Sequence, residues 1–125
     1  MTRLFLAIAA ILGGLAVAAG AFGAHALRDK VSDRALEIFE TGCRYQMYHA
    51  LALVAIALLL HRAEAAQSWL TAAGYAFIVG TAIFSGSLYA LTLSGIKWLG
   101  AITPLGGVAL IIGWGCLLVT ALSYK

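Results

Sequence analysis

The chain has 125 residues, of which 63% are hydrophobic and 10% charged, with a formal net charge of +3 and a mean hydropathy of +0.99. A soluble domain carries about a quarter charged residues, so these charges are too few to cover a water-facing surface, and part of the surrounding solvent is expected to be lipid. The length allows one domain, and the scattered Lys and Arg residues form no run of the kind that grips nucleic acid, so no nucleic-acid partner is expected.

The expected fold is all-α: a polytopic membrane protein of four transmembrane helices plus one interfacial amphipathic helix. A hydrocarbon core about 30 Å thick takes about 20 helical residues to cross, and the apolar runs 4–27, 45–60, 69–91 and 98–122 supply the spans. The first begins after Met1-Thr2-Arg3 and has the outline of a secretory signal, with small residues around Ala24–Ala26. Its uncharged run is longer than the apolar region of such a signal, so it is read as a retained span. Ala10, Gly14 and Ala18 recur every four residues, as do Ala16, Gly20 and Ala24. That spacing lets helix backbones approach closely in lipid. Gly23 is read in the same way.

The stretch 32–44 has a different period. Leu36, Phe39 and Cys43 fall on one helical face and Arg34, Glu37, Thr41 and Arg44 on the other, the pattern of a helix with one dry side. Ser32 is placed to cap it and Asp33 to face its N-terminal dipole. Glu40 and Arg44 are expected to pair at i,i+4. Too short and too charged to span, this segment is expected to lie in the interface, with a bend at Gly42 leading into the second span.

The third span carries Ser85, Gly86, Ser87 and Tyr89. The fourth holds the single proline, Pro104, which either opens a helix behind Thr103 or kinks one that began near Trp98. The kink is the favoured reading, because Lys97 and Trp98 form an interfacial anchor pair. Ala109 and Gly113 repeat the small-residue spacing, and Gly106 joins them as a packing glycine. Counting cations, Arg3, Arg62 and Lys125 lie at one face and Arg28, Lys30, Arg34, Arg44 and Lys97 at the other, which would put the first connection in the cytoplasm.

Polar groups at membrane depth must face a partner, a cavity or an end. His25 closes the first span and His49 is expected one turn inside the second, near the same face. His25, Arg44, Tyr45, Tyr48, His49, Ser85, Tyr89 and Thr103 therefore form the candidate polar cluster. It serves either as interhelical hydrogen bonding or as a path for a small solute or protons. Two histidines without nearby carboxylates or thiolates are too few for a metal, Cys43 and Cys116 read as small apolar fillers, and no acidic residue within a span completes a nucleophilic set. No cofactor, no metal and no enzymatic activity are expected. The leading expectation is a non-enzymatic scaffold or accessory subunit whose partners are the bilayer and a homo-oligomer or larger membrane complex; the alternative is translocation through His25 and His49.

Four segments in order, Gly20–Leu27 (GAFGAHAL), Tyr45–Leu53 (YQMYHALAL), Phe84–Leu91 (FSGSLYAL) and Thr103–Trp114 (TPLGGVALIIGW), resemble one family, domain of unknown function 423. It is also grouped as uncharacterised protein family 0382 and is similar to transmembrane protein 256 of animals. The resemblance covers nearly the whole chain. It implies a bacterial inner (plasma) membrane protein with four spans and both termini in the cytoplasm, against the cation count. It implies no activity, and no catalytic residue is carried over. Its motifs fall on Gly20, Gly23, His25, Tyr45, His49, Ser85, Gly86, Tyr89, Thr103, Pro104 and Gly106.

Overall fold

A computed structural model describes residues 1–62 and 65–124. Part of the expected 61–68 connection, Ala63 and Glu64, and the terminal cation Lys125 lie outside the described residues. Helix α1 (Thr2–Phe22) runs on through a π-helical turn, Gly23–Leu27. Helix α2 covers Asp33–Arg62 and α3 covers Gln67–Ser94. A 3₁₀ turn, Lys97–Ala101, leads into α4, Thr103–Ser123. Four helical segments are long and apolar enough to cross a bilayer.

Each helix packs mainly on the next in sequence, α1 on α2, α2 on α3 and α3 on α4. Two side chains tie helices that are not successive in the chain. Phe5 of α1 packs edge-on against Tyr75 of α3 at 5.3 Å between ring centres, and Trp114 of α4 reaches His49 of α2. Helices α2 and α3 thus form the centre of the bundle, each packed against two neighbours. The sequence explains the division. In α1 the residues facing the protein are Phe5, Ala9, Leu12, Ala16, Ala19 and Gly23, alternating four and three apart, which gives only a narrow seam. In α2 the buried set Phe39, Gly42, Cys43, Gln46, His49, Leu53, Ile56 and Leu60, widened by Ala50, Ala52 and Ala57, covers a broader face that meets two neighbours. Outward-facing Leu15, Val17, Ile111, Leu118 and Leu122 are all more than half exposed, as aliphatic side chains are where the solvent is hydrocarbon.

The expected interfacial helix 32–44 and second span 45–60 form one continuous helix, with Gly42 inside it. At 30 residues and about 1.5 Å each, α2 is about 45 Å long and overhangs a 30 Å hydrocarbon core by several turns. The dry face of 32–44 faces protein instead of lipid: Leu27, Phe39 and Cys43 form a small core with Leu36 and Tyr89 packed against it. Gly42 stays helical because the ring of Tyr89 occupies the place of a side chain, 2.8 Å from where a Cβ would sit. The Ser32 cap is present, its Oγ accepting from the Ala35 N–H at 3.1 Å. The ion pair on the wet face is Arg34–Glu37 at 3.3 Å; Glu40 and Arg44 form none within bonding distance among the described residues.

Pro104 does not kink a long helix. It sits in the first turn of α4, behind Ile102 as N-cap, where its missing N–H has no carbonyl to serve. Lys97 and Trp98 belong to the preceding 3₁₀ turn, and the Thr103 hydroxyl, free of capping duty, bonds across to Ser87.

Candidate functional site

Burying a polar side chain among hydrocarbon is costly unless it is hydrogen-bonded, so the buried polar residues show where the sequence accepts that cost. Gln46, which the sequence reading passed over, is the most connected. Its Nε2 donates to the Leu12 carbonyl of α1 at 2.7 Å, using the lone pair left over after that carbonyl's own helical bond. Its Oε1 accepts from the Tyr89 hydroxyl of α3 at 2.7 Å. One amide therefore ties three helices. One turn earlier, Ser85 donates to the Gly42 carbonyl at 2.7 Å, and nearer the helix ends Thr92 donates to the Ala35 carbonyl at 3.1 Å.

His49 forms a second node. Its Nδ1 lies 2.8 Å from the Tyr45 carbonyl, and its Nε2 lies 3.1 Å from the indole nitrogen of Trp114. An indole N–H can only donate. Nε2 is therefore the acceptor, and the proton sits on Nδ1, directed at the carbonyl. Phe77 packs against the imidazole at 5.2 Å and against Trp114 at 5.0 Å, closing an aromatic cluster around it. With both nitrogens engaged, His49 is held in one tautomer and orientation.

His49 lies about 24 Å along α2 from Asp33 and about 20 Å from Arg62 at 1.5 Å per residue, near the middle of that long helix. Ala50 stands opposite Gly13 of α1, 3.8 Å from the position of its absent Cβ. His25 lies twelve residues beyond Gly13, about 18 Å further along. The structure does not bring the two histidines together.

The remaining candidates divide as follows. Ser85 and Tyr89 join the inner layer. Tyr45 is 40% exposed, but its ring packs on Phe84 at 4.7 Å and its carbonyl serves His49. Thr103 bonds to Ser87, linking the start of α4 to α3. His25, Arg44 and Tyr48 face outward. Ser87, named with the third span's polar residues, bonds to Thr103; Trp114 and Thr92 were not singled out, the signal for Trp114 being its place in the TPLGGVALIIGW segment and for Thr92 only its polarity within an apolar run. Thr81 is 2% exposed, and its Oγ1 has no hydrogen-bond partner among the described residues.

The packing glycines also separate into two groups. A Cβ on Gly113 would lie 2.6 Å from the Phe77 ring, and one on Gly23 would lie 3.1 Å from the Phe39 ring. A Cβ on Gly106 would collide with the backbone of Phe84 and would lie 2.9 Å from the Gly80 carbonyl oxygen. Gly74, filled by Phe5, and Gly80, filled by Leu110, belong with these. Gly14, Gly20 and Gly86, by contrast, have nothing within 4 Å of the place a Cβ would take. Among the described residues no three of His, Cys, Asp and Glu converge on a point.

Comparison with known proteins follows the same extent of chain. The profile of the family described as "Protein of unknown function (DUF423)" matches residues 19–107. The UPF0382 membrane protein YwdK of Bacillus subtilis is 47% identical over 122 residues, covering 98% of this chain and 98% of the relative. A UPF0382 membrane protein of Staphylococcus epidermidis is 43% identical with the same coverage, and one of Staphylococcus saprophyticus is 41% identical over 94% of this chain and 95% of the relative. No solved structure matches the chain.

Proposed function

The chain belongs to the DUF423 family and is a multi-pass membrane protein, and from that premise we propose that it acts as a non-enzymatic scaffold or accessory subunit, packing against a second copy or a larger membrane complex. One observation carries this reading. Six glycines, Gly23, Gly42, Gly74, Gly80, Gly106 and Gly113, are filled by the bundle's own side chains or backbone, whereas Gly14, Gly20 and Gly86 open outward onto free space. Close-approach sites of this kind admit another helix where no hydrophobic drive exists between helices in lipid. The interior supports the same role, since Gln46, His49, Ser85 and Tyr89 spend their hydrogen bonds on holding helices together.

The test is crosslinking in native membranes with the full chain. Gly14→Leu and Gly86→Leu should abolish a stoichiometric crosslinked species while leaving the thermal unfolding of the purified chain unchanged. Proton or solute flux in proteoliposomes that disappears in His49→Ala would overturn the reading in favour of translocation.

The reading includes a bacterial inner (plasma) membrane location with both termini in the cytoplasm. An even number of spans puts the two ends on one side. A membrane-impermeant maleimide should therefore reach Gly95→Cys from outside intact cells and reach Ser123→Cys only after permeabilisation; the reverse pattern would invert the topology.

A further inference from the structure

A groove of ≈ 610 Å³ runs along the outside of the bundle between the start of α1 and the end of α2, lined by Thr2, Arg3, Leu6, Ala7, Ala10 and His61. Its composition changes along its length. Thr2, Arg3 and His61 lie at the helix ends, and Leu6, Ala7 and Ala10 continue toward the bundle middle. From Arg3 to Ala10 is about 10 Å of helix, and the two alanines leave a trough where larger residues would stand out. The order, cationic at the end and apolar below it, is that of a phospholipid in a leaflet.

Among the described residues the charge at this end is one-sided. Arg3, His61 and Arg62 are all exposed, and Asp29, Asp33, Glu37 and Glu40 belong to the first connection and the start of α2, at the opposite end. The remaining acid, Glu64, lies outside the described residues. The first turn of α1 contains no acidic residue and its N-cap, Met1, makes no side-chain capping bond, so the positive end of that helix dipole adds to the cations. His61 also borders a second groove, with Ala55, Leu58, Leu59 and Arg62.

We infer that the groove between the start of α1 and the end of α2 holds one anionic phospholipid, with its phosphate at Arg3 and His61 and an acyl chain against Ala7 and Ala10. A zwitterionic lipid offers the same phosphate but brings a second cation to an end already rich in them, so the groove selects for net negative charge. This requires only the α1/α2 end and is independent of any scaffold role.

The experiment is native mass spectrometry of the full chain released from nanodiscs containing equal amounts of phosphatidylglycerol and phosphatidylcholine. The wild type should retain one lipid with at least about a fivefold preference for phosphatidylglycerol, the size expected of one or two interfacial cations. Arg3→Gln combined with His61→Gln should bring the ratio to about one. Ala10→Leu fills the trough without touching the charges, and should lower retention of both lipids alike. Both sites are exposed, so unfolding temperatures should match the wild type. A wild-type ratio near one overturns the inference, as does a preference that survives the double substitution or retention unaffected by Ala10→Leu. So does a lipid-free dimer, which would show that a second copy takes the groove.

Discussion

Replacing Gly106 with alanine tests the tightest contact in the bundle. The added Cβ would collide with the Phe84 backbone nitrogen, and it would lie 2.8 Å from the Phe84 Cα and 2.9 Å from the Gly80 oxygen. All three are backbone atoms of α3, so no side chain can rotate away, and α4 must move outward by about 0.5–1 Å to restore ordinary carbon contacts. That displacement also loosens Leu110 on Gly80, Gly113 on Phe77 and the Ser87–Thr103 bond. Overpacking against unyielding atoms costs about 1–3 kcal/mol and the weakened interhelical bond about 0.6 more, while alanine regains about 0.5–1 kcal/mol of helix propensity. The expected net loss is about 1–3 kcal/mol. Unfolding of the purified chain in mixed micelles, followed by tryptophan fluorescence against denaturing detergent, reads this directly. Gly14→Ala is the control: with nothing within 4 Å of its new methyl group, it should be neutral or slightly stabilising. If Gly106→Ala were as stable as Gly14→Ala, the close-packed α3/α4 seam would be refuted.

Trp114→Phe keeps an aromatic ring against Phe77 but removes the donor to His49 Nε2, and should lower stability by about 1 kcal/mol in the same assay. Gln46→Leu and Tyr89→Phe should each destabilise by about 0.5–2 kcal/mol, and their double-mutant cycle should show a coupling of about 0.5–1 kcal/mol, because one 2.7 Å bond joins them. Additive effects would mean that the Gln46–Tyr89 bond does not form. Cys43 and Cys116 are 8% and 7% exposed, so neither should react with maleimide in the folded chain, and both should react once the bundle is denatured; fast labelling of native protein would contradict the packing of α2 and α4.

The helices were legible in the sequence because apolar runs of spanning length have few alternatives. The continuity of α2 was not legible, since charges on 32–44 report only which face meets water. They do not reveal that Phe39 and Cys43 meet the π-helical end of α1 and Tyr89. Nor does the sequence show that the Tyr89 ring fills the place of a side chain at Gly42. His49 is legible as a polar residue inside a span, but its partner Trp114, 65 residues further along the chain, is not. Gln46, three residues before His49, escaped notice because amides carry no charge or metal-binding signal, although its bonds to Leu12 and Tyr89 join three helices. The spacing of small residues identified glycines that approach other helices; it did not distinguish Gly106, against Phe84, from Gly14, which faces open space.

The packing of each helix on the next has a consequence for how the chain is made. Because each helix meets chiefly the one before it, every segment leaving the ribosome finds its main partner already in the bilayer, and most contacts are local in sequence, the arrangement that favours rapid assembly. Two ties break that order. Phe5 waits until α3 brings Gly74 and Tyr75, and His49 keeps a bare Nε2 until α4 delivers Trp114. The bundle is therefore locked from its last helix, and a chain cut short after Ser94 would leave the polar centre of α2 unsealed.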